Sequence, residues 1–319
     1  PLVIRVIGAN PAMDRISTWP PIRLADVNRA TDVHVAPGGK GFNVARAVVR
    51  LGRPAVAYGF LGGHVGASLR EMIADAGIED RHPSIEAGTR VCFIVVEPDV
   101  GRATVLNEPG PVVSTDETER FLDDLRRDIH ADDLVVLSGS LPDSVPAAVA
   151  GKIVSIGVEA GARTVVDIHS EALRAVVDRR PWLLKCNRRE LHELLGTVEA
   201  DGSSALPDVA AEMQRLRRRG IEVVVVTMGA VGALLTEASG AVHARVPVIE
   251  EVNPTGSGDL LLAGLAVGLE RGLSPREALV LGAACGTAGA THLTPELPAG
   301  FDVGAWVQRI AVDELATDP

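Results

Sequence analysis

The chain has 319 residues, with 31 basic and 42 acidic side chains and a formal net charge of −11. That balance argues against a nucleic-acid partner, because phosphate backbones are held by a basic face. The longest apolar runs, 221–228 and 260–269, are too short to span a bilayer. Cys92, Cys186 and Cys285 have neither disulfide nor metal spacing, and no charged-then-apolar leader opens the chain, so a soluble cytoplasmic protein is expected.

Hydrophobic residues make up 46% of the chain but aromatics only 3%, so Val, Leu, Ile and Ala must build the core. There are 33 glycines, where ordinary usage gives about 22, an excess that fits many tight turns. Short Val/Ile-rich runs alternate with amphipathic stretches, the pattern of a parallel sheet covered on both faces. In chain order, strands are predicted over 3–7, 55–60, 134–138, 164–167, 182–185 and 223–228. Helices are predicted over 41–51, 66–76, 115–128, 144–160, 188–195, 206–218, 260–271 and 275–291. Residues 10–35 and 89–110 break this rhythm and read as extended segments. Pro98-Asp99-Val100-Gly101 makes a hairpin turn between strands over 91–96 and 103–106. The expected organisation is one α/β domain over 1–319, with 10–35 and 89–110 forming a small β subdomain.

Two glycine turns carry the chemistry. Asn253-Pro254-Thr255-Gly256-Ser257-Gly258-Asp259 runs straight into the apolar segment 260–269. Glycines let successive N–H groups turn inward, and a helix N-terminus adds free donors and partial positive charge, so the turn suits an anion. Asp259 beside it can take a proton from an attacking hydroxyl; alone, the segment also reads as a simple turn with an N-terminal Asp. Upstream, Pro37-Gly38-Gly39-Lys40-Gly41-Phe42-Asn43-Val44-Ala45-Arg46 opens another helix, with Gly52 as its stop.

Together the two segments resemble the two signature elements of the PfkB (ribokinase-like) carbohydrate kinase family. The resemblance runs from Asn10 to about Gly289. It implies a ribokinase-like α/β fold: a central, mostly parallel sheet with helices on both faces, plus a small β-sheet lid that often pairs between subunits. A homodimer through the lid is therefore expected. It also implies ATP as phosphoryl donor with Mg²⁺, Asp259 as general base, and Gly256, Ser257 and Gly258 as the hole that stabilises the transferring phosphate. Ser257 stands where the family more often has Ala.

The other roles follow the same likeness. Asn10-Pro11-Ala12-Met13-Asp14 is similar to the family's NPAxD element, with Asp14 receiving sugar hydroxyls. Gly38 and Gly39 would admit the sugar ring, and Asn43 would hold another hydroxyl. Thr89-Arg90, Lys40, Arg29 and the Ser138-Gly139-Ser140-Leu141-Pro142 element together favour a substrate that already carries a phosphate, since a guanidinium suits bidentate phosphate recognition. On the nucleotide side, Lys185-Cys186-Asn187-Arg188-Arg189-Glu190 resembles KPNxxE. Lys185 and Asn187 would face ATP phosphates, and Glu190 would organise magnesium through water. Thr227, Gly229 and Gly232 would form the turn under the ribose and phosphates, and the helix over 275–291 would line the adenine. Asp167-Ile168-His169-Ser170 departs from the usual DTSG, which leaves His169 at the site's rim.

The implied reaction is phosphorylation of a phosphohexose, first the C1 hydroxyl of tagatose 6-phosphate or fructose 6-phosphate. The alternatives are fructose 1-phosphate at C6, or an unphosphorylated sugar or nucleoside. A regulator that has lost catalysis is disfavoured by the presence of Asp259, the glycine turn and Glu190. A dinucleotide-dependent oxidoreductase is disfavoured because no G-x-G-x-x-G follows the first strand.

Overall fold

The computed structural model describes residues 2–197 and 205–315. Ten strands form the main sheet. From one edge they run Ala311–Leu315, Gly240–Arg245, Ala233–Glu237, Val223–Thr227, Leu183–Asn187, Arg163–Ile168, Asp133–Gly139, Val3–Ile7, Ala55–Tyr58 and Glu79–Asp80. The last seven are mutually parallel and the first three add on antiparallel. A parallel strand inside such a sheet is covered on both faces, which is why the central strands are rich in Val, Ile and Leu; every residue of Asp133–Gly139 is buried.

Successive side chains on each strand feed two different cores. Val6, Val136, Val165 and Val225 pack beneath the helices Lys40–Arg50, Ser257–Glu270 and Pro275–Gly289. Ile7, Leu137, Val166 and Val226 pack beneath Thr115–Asp128, Ala148–Glu159, Ser170–Val177 and Leu206–Arg218 on the other face. The helices over 115–128, 188–195 and 206–218 begin and end as the pattern predicts. The helix expected from 260 starts at Ser257 instead. The glycine turn is thus the helix's own first turn, and it carries Asp259 inside it.

The two segments that break the rhythm build a separate four-stranded sheet, ordered Asp32–Gly38, Ala12–Thr18, Arg90–Glu97, Arg102–Asn107. Its hairpin turns through Pro98–Val100 and Gly101, which takes the left-handed conformation at φ 61°. Ile16, Ile94 and Val96 form a small apolar cluster of its own, and all six residues of Arg102–Asn107 are exposed. No helix among the described residues is long and apolar enough to cross a membrane.

Candidate active site

The C-terminal ends of the parallel strands are where an open α/β sheet offers its ligand crevice. Here they face the small sheet across a cleft of about 910 Å³. The small sheet contributes Asp14, Arg90, Cys92, Ile94, Val105 and Asn107, and the main sheet contributes Ser138, Asp167, Lys185, Asn187 and Thr227. The two glycine turns meet across it: Asn43 donates its side-chain amide to the carboxylate of Asp259, 216 residues further on, at 2.8 Å.

The turn at Gly256 has the geometry that its glycines require. Gly256 sits at φ 82°, and a Cβ there would lie 2.3 Å from Pro295 Cβ. The Ser257 amide is donated back to the Pro254 carbonyl at 3.1 Å. Of the three expected donors, Ser257 is therefore turned into its own loop, and its buried hydroxyl lies off the cleft with no partner among the described residues. Gly256 and Gly258 do line the cleft, and neither amide has a backbone acceptor among the described residues. Lys185 Nζ lies 3.3 Å from where a side chain on Gly258 would begin, which places a cation beside the free helix terminus.

A carboxylate that sequence reading left without a role organises those cations. Asp167, at the end of the strand Arg163–Ile168, is fully buried. It accepts from Lys185 Nζ at 2.7 Å on one oxygen, and Lys40 Nζ stands 3.6 Å from the other. Burial pushes its carboxyl up, but the two ammonium groups outweigh this and hold it below its ordinary value. Lys40 is drawn down by burial and raised more strongly by Asp167, Asp259 and Glu190. The sequence signal for Asp167 was a carboxylate closing a run of buried Val residues at a strand's C-terminal end.

Asp259 is buried and pushed up to about 6, chiefly by desolvation; Asp167 adds to this, while Lys40 and the Asn43 hydrogen bond oppose it. A base whose pKa lies just below neutrality is ionised and still able to hold a proton. At the other end Asp14 is likewise pushed up to about 6 by burial, against the pull of Arg46 and then Arg90. The Asp14 carboxylate occupies the space beside Gly38: a Cβ at Gly38 would fall 2.0 Å from its carboxyl carbon. Gly38 thus makes room for Asp14 and does not itself line the cleft, whereas Gly39, Lys40 and Asn43 do. Arg90 donates to the carbonyls of Asn10 (3.0 Å) and Glu108 (3.3 Å), and its buried Nε has no partner among the described residues.

Several expected positions fall elsewhere. Arg29 is exposed and does not line the cleft of its own chain. Gly229 and Gly232 flank a short turn behind Thr227. Gly232 is required there because a Cβ would come within 2.1 Å of the Ala244 carbonyl oxygen, and only Thr227 of the three reaches the cleft. No residue of Pro275–Gly289 lines the cleft either. Asn187 and Glu190 line it, but they also close a reciprocal cap on the helix Arg188–Leu195. The Asn187 side chain accepts from the Glu190 amide at 2.9 Å, and the Glu190 carboxylate accepts from the Asn187 amide at 2.8 Å. His169 lines the cleft, held below its ordinary pKa by burial and then by Lys40. Phe42 and His82, whose rings lie 5.2 Å apart, also line it and were not singled out from sequence.

A buried carboxylate that shares a cleft with the free amides of a helix terminus, under the influence of two lysines, is equipped to move an anionic group onto a hydroxyl. Comparison with known proteins gives the same result. The description of the pfkB family of carbohydrate kinases matches residues 5–297. The chain belongs to the pfkB family. It is 33% identical over 286 residues to the 1-phosphofructokinase of Bacillus subtilis (strain 168), an alignment covering 90% of this chain and 92% of that one. The structure of phosphofructokinase-2 from Escherichia coli in complex with potassium matches at 26% identity with a TM-score of 0.90, covering 97% of this chain and 99% of that one. Ribokinase from Thermotoga maritima, 21% identical, shares the fold with a TM-score of 0.75 over 97% of this chain and 100% of that one. This pfkB protein is thus a carbohydrate kinase of ribokinase-like fold, a phosphotransferase with an alcohol group as acceptor.

Proposed function

We propose that the protein is an ATP-dependent kinase of a phosphorylated ketohexose, and that its acceptor is the C6 hydroxyl of fructose 1-phosphate. The observation that carries the kinase reading is Asp259, buried beside the Gly256 and Gly258 amides and hydrogen-bonded to Asn43. The choice of acceptor rests on the 33% identity to a 1-phosphofructokinase over nine-tenths of both chains. It shifts the order of preference reached from the motifs alone, which put the C1 hydroxyl of a ketohexose 6-phosphate first. Fructose 6-phosphate stays the second reading, favoured by the likeness to phosphofructokinase-2.

In this reading Asp14, Asn43 and the Gly39 backbone hold the sugar hydroxyls, and Arg90, Lys40 and Ser138 stand nearest its phosphate. Asp259 takes the proton of the attacking hydroxyl as the new oxygen–phosphorus bond forms and the bond to the ADP oxygen breaks. The Gly256 and Gly258 amides, the helix terminus and Lys185 stabilise charge on the moving phosphoryl group. Lys185, Asn187 and Thr227 face the nucleotide. No cluster of three or more His, Cys, Asp or Glu side chains that could cage a metal occurs among the described residues, and Glu190 shares its carboxylate with the Asn187 amide. That donor set fits Mg²⁺ carried on the nucleotide's phosphates with its water retained, where it would neutralise phosphate charge. The chain works as one α/β domain with the small sheet as its lid, in the cytoplasm, as a dimer through that lid.

The test is ADP release with Mg-ATP against fructose 1-phosphate, fructose 6-phosphate, tagatose 6-phosphate, fructose and ribose. The expected result is highest kcat/KM with fructose 1-phosphate. Highest kcat/KM with a 6-phosphate would move the acceptor to C1, and turnover of the free sugars alone would overturn the second-phosphate reading. Asp259→Asn should lose at least about three orders of magnitude in kcat while ATP still binds; retained turnover would reject it as the base.

A further inference from the structure

Arg46 stands outside the cleft, yet it ties one end of the machinery to the segment that braces the other. It lies on the helix Lys40–Arg50 with its side chain largely buried, 14% exposed. One guanidinium nitrogen donates to the Pro37 carbonyl at 2.9 Å, the residue directly before the Gly38-Gly39 turn that admits Asp14. The other end of the guanidinium pairs with Glu296. Among the charges that act on Asp14, Arg46 is foremost, ahead of Arg90. A guanidinium buried at this cost to itself needs charges to justify its place, and the two present are Asp14 and Glu296.

Glu296 belongs to a segment that also secures the catalytic turn. Its neighbour Pro295 fills the space beside Gly256, and the Leu293 carbonyl accepts from the Asn253 side chain at 2.8 Å. Asn253 in turn accepts from the Thr255 amide at 3.0 Å. One short stretch, Leu293 to Glu296, therefore braces the phosphoryl end through Pro295 and the sugar end through Arg46.

We propose that Arg46 is the positioning residue of the sugar end: held by Glu296, it fixes the Gly38-Gly39 turn and Asp14 in the geometry that receives the substrate's hydroxyls. It acts through Asp14 and does not touch substrate. The inference rests on the reading of Asp14 as a sugar ligand, so the experiment separates the two.

Steady-state kinetics of the full chain are compared for Arg46→Met, Arg46→Lys, Glu296→Gln, Asp14→Asn and the Arg46→Met/Asp14→Asn pair. The substrate is fructose 1-phosphate, or fructose 6-phosphate if the substrate panel selects it. Arg46→Met raises the sugar-phosphate KM by about tenfold or more and leaves the ATP KM within about twofold. Arg46→Lys recovers part of that loss, because it keeps the charge but not the two-ended bond. In the Asp14→Asn background Arg46→Met adds less than about twofold, the signature of one pathway. Equal effects on both KM values, or full additivity with Asp14→Asn, overturns the proposal. If Arg46→Met does not fold, Glu296→Gln carries the test from the half-exposed side: its sugar KM rises in the same direction, and an unchanged value overturns the proposal. An unchanged sugar KM in Asp14→Asn alone overturns the sugar-ligand reading, and with it the role given to Arg46.

Discussion

Burial sets both of the carboxylates that the proposed chemistry depends on, and it sets them at a cost to the fold. Asp259 and Asp14 each have a folded-state pKa of about 6 against an ordinary 3.8. The folded chain therefore binds these protons more tightly than the unfolded chain between pH 4 and 6. Stability falls as pH rises through that window, and the full cost is present above about pH 6. Asp259→Asn should accordingly be more stable than the parent at pH 7, by on the order of 2 kcal/mol. The gap should close near pH 4, where the aspartic acid is neutral as well. Urea unfolding at the two pH values measures it, and a variant that is less stable at pH 7 would refute the account. A second residue-scale cost sits at Ser170, which takes φ 61° directly after His169. The family's usual glycine at this place adopts that conformation freely, whereas a side chain there costs roughly 1 kcal/mol. Ser170→Gly should raise the denaturant midpoint by an equivalent of about 0.5–1 kcal/mol at unchanged slope; a lowered midpoint would show that the serine makes a compensating contact.

Among the elements, what sequence could reveal depended on how local the cause was. Six of the seven parallel strands carry their burial in their own composition, and four of these six predicted ones lie within a residue of their place at both ends; the seventh, Glu79–Asp80 at the sheet's edge, is not buried and went unread. The three antiparallel strands went unread. Ala233–Glu237 and Gly240–Arg245 are joined by Ala238-Ser239, without the Asn-Gly or Asp-Gly signal of a tight hairpin, and Ala311–Leu315 pairs with a strand some seventy residues away. The helix Ser170–Val177 was also missed, since it starts at a strained serine with no side-chain cap. In the site, Asp259 and the glycine turns were legible because the motif is contiguous, whereas Asp167 between two lysines and Arg46 on Glu296 exist only once distant segments meet. The pairing of Ser257–Glu270 with Pro275–Gly289 shows the same divide. Both helices were predicted, but not why they hold so many glycines. A Cβ on Gly264 would lie 2.8 Å from Gly282 Cα and from the Leu281 carbonyl oxygen, and one on Gly286 would lie 2.8 Å from the Ser257 carbonyl oxygen. These helices cross backbone to backbone, so Gly264→Ala should destabilise by about 1–3 kcal/mol through overpacking, despite alanine's better helix propensity. Because Asp259 rides on the first turn of the displaced helix, kcat should fall as well. A stabilised variant with parental kcat, by thermal melt and ADP release, would contradict the close-crossing argument.

At the scale of the whole molecule, the small sheet is the part left uncovered. Its edge strand Arg102–Asn107 pairs with Arg90–Glu97 on one side and has no strand on the other among the described residues. Phe93 and Leu106, opposed across the strand pair, are 37% and 54% exposed; Val33 in the same sheet is 44% exposed. A free edge beside exposed apolar side chains is a template for association unless a partner covers it. A second copy of the chain is the partner proposed here, because the same lid then meets itself across a two-fold axis. The parent should run as a dimer in light scattering at micromolar concentration. Leu106→Glu, which sets a charge into the middle of the proposed contact, should shift it toward monomer. The main sheet lies outside that contact, so the unfolding of isolated monomer should keep the parent's cooperativity. KM for the sugar phosphate should rise more than KM for ATP, since in the proposed reading Asp14 and Arg90 of the small sheet hold the sugar. A parent that is monomeric at all concentrations, or a dimer indifferent to Leu106→Glu, would place the contact elsewhere and leave the exposed face without this explanation.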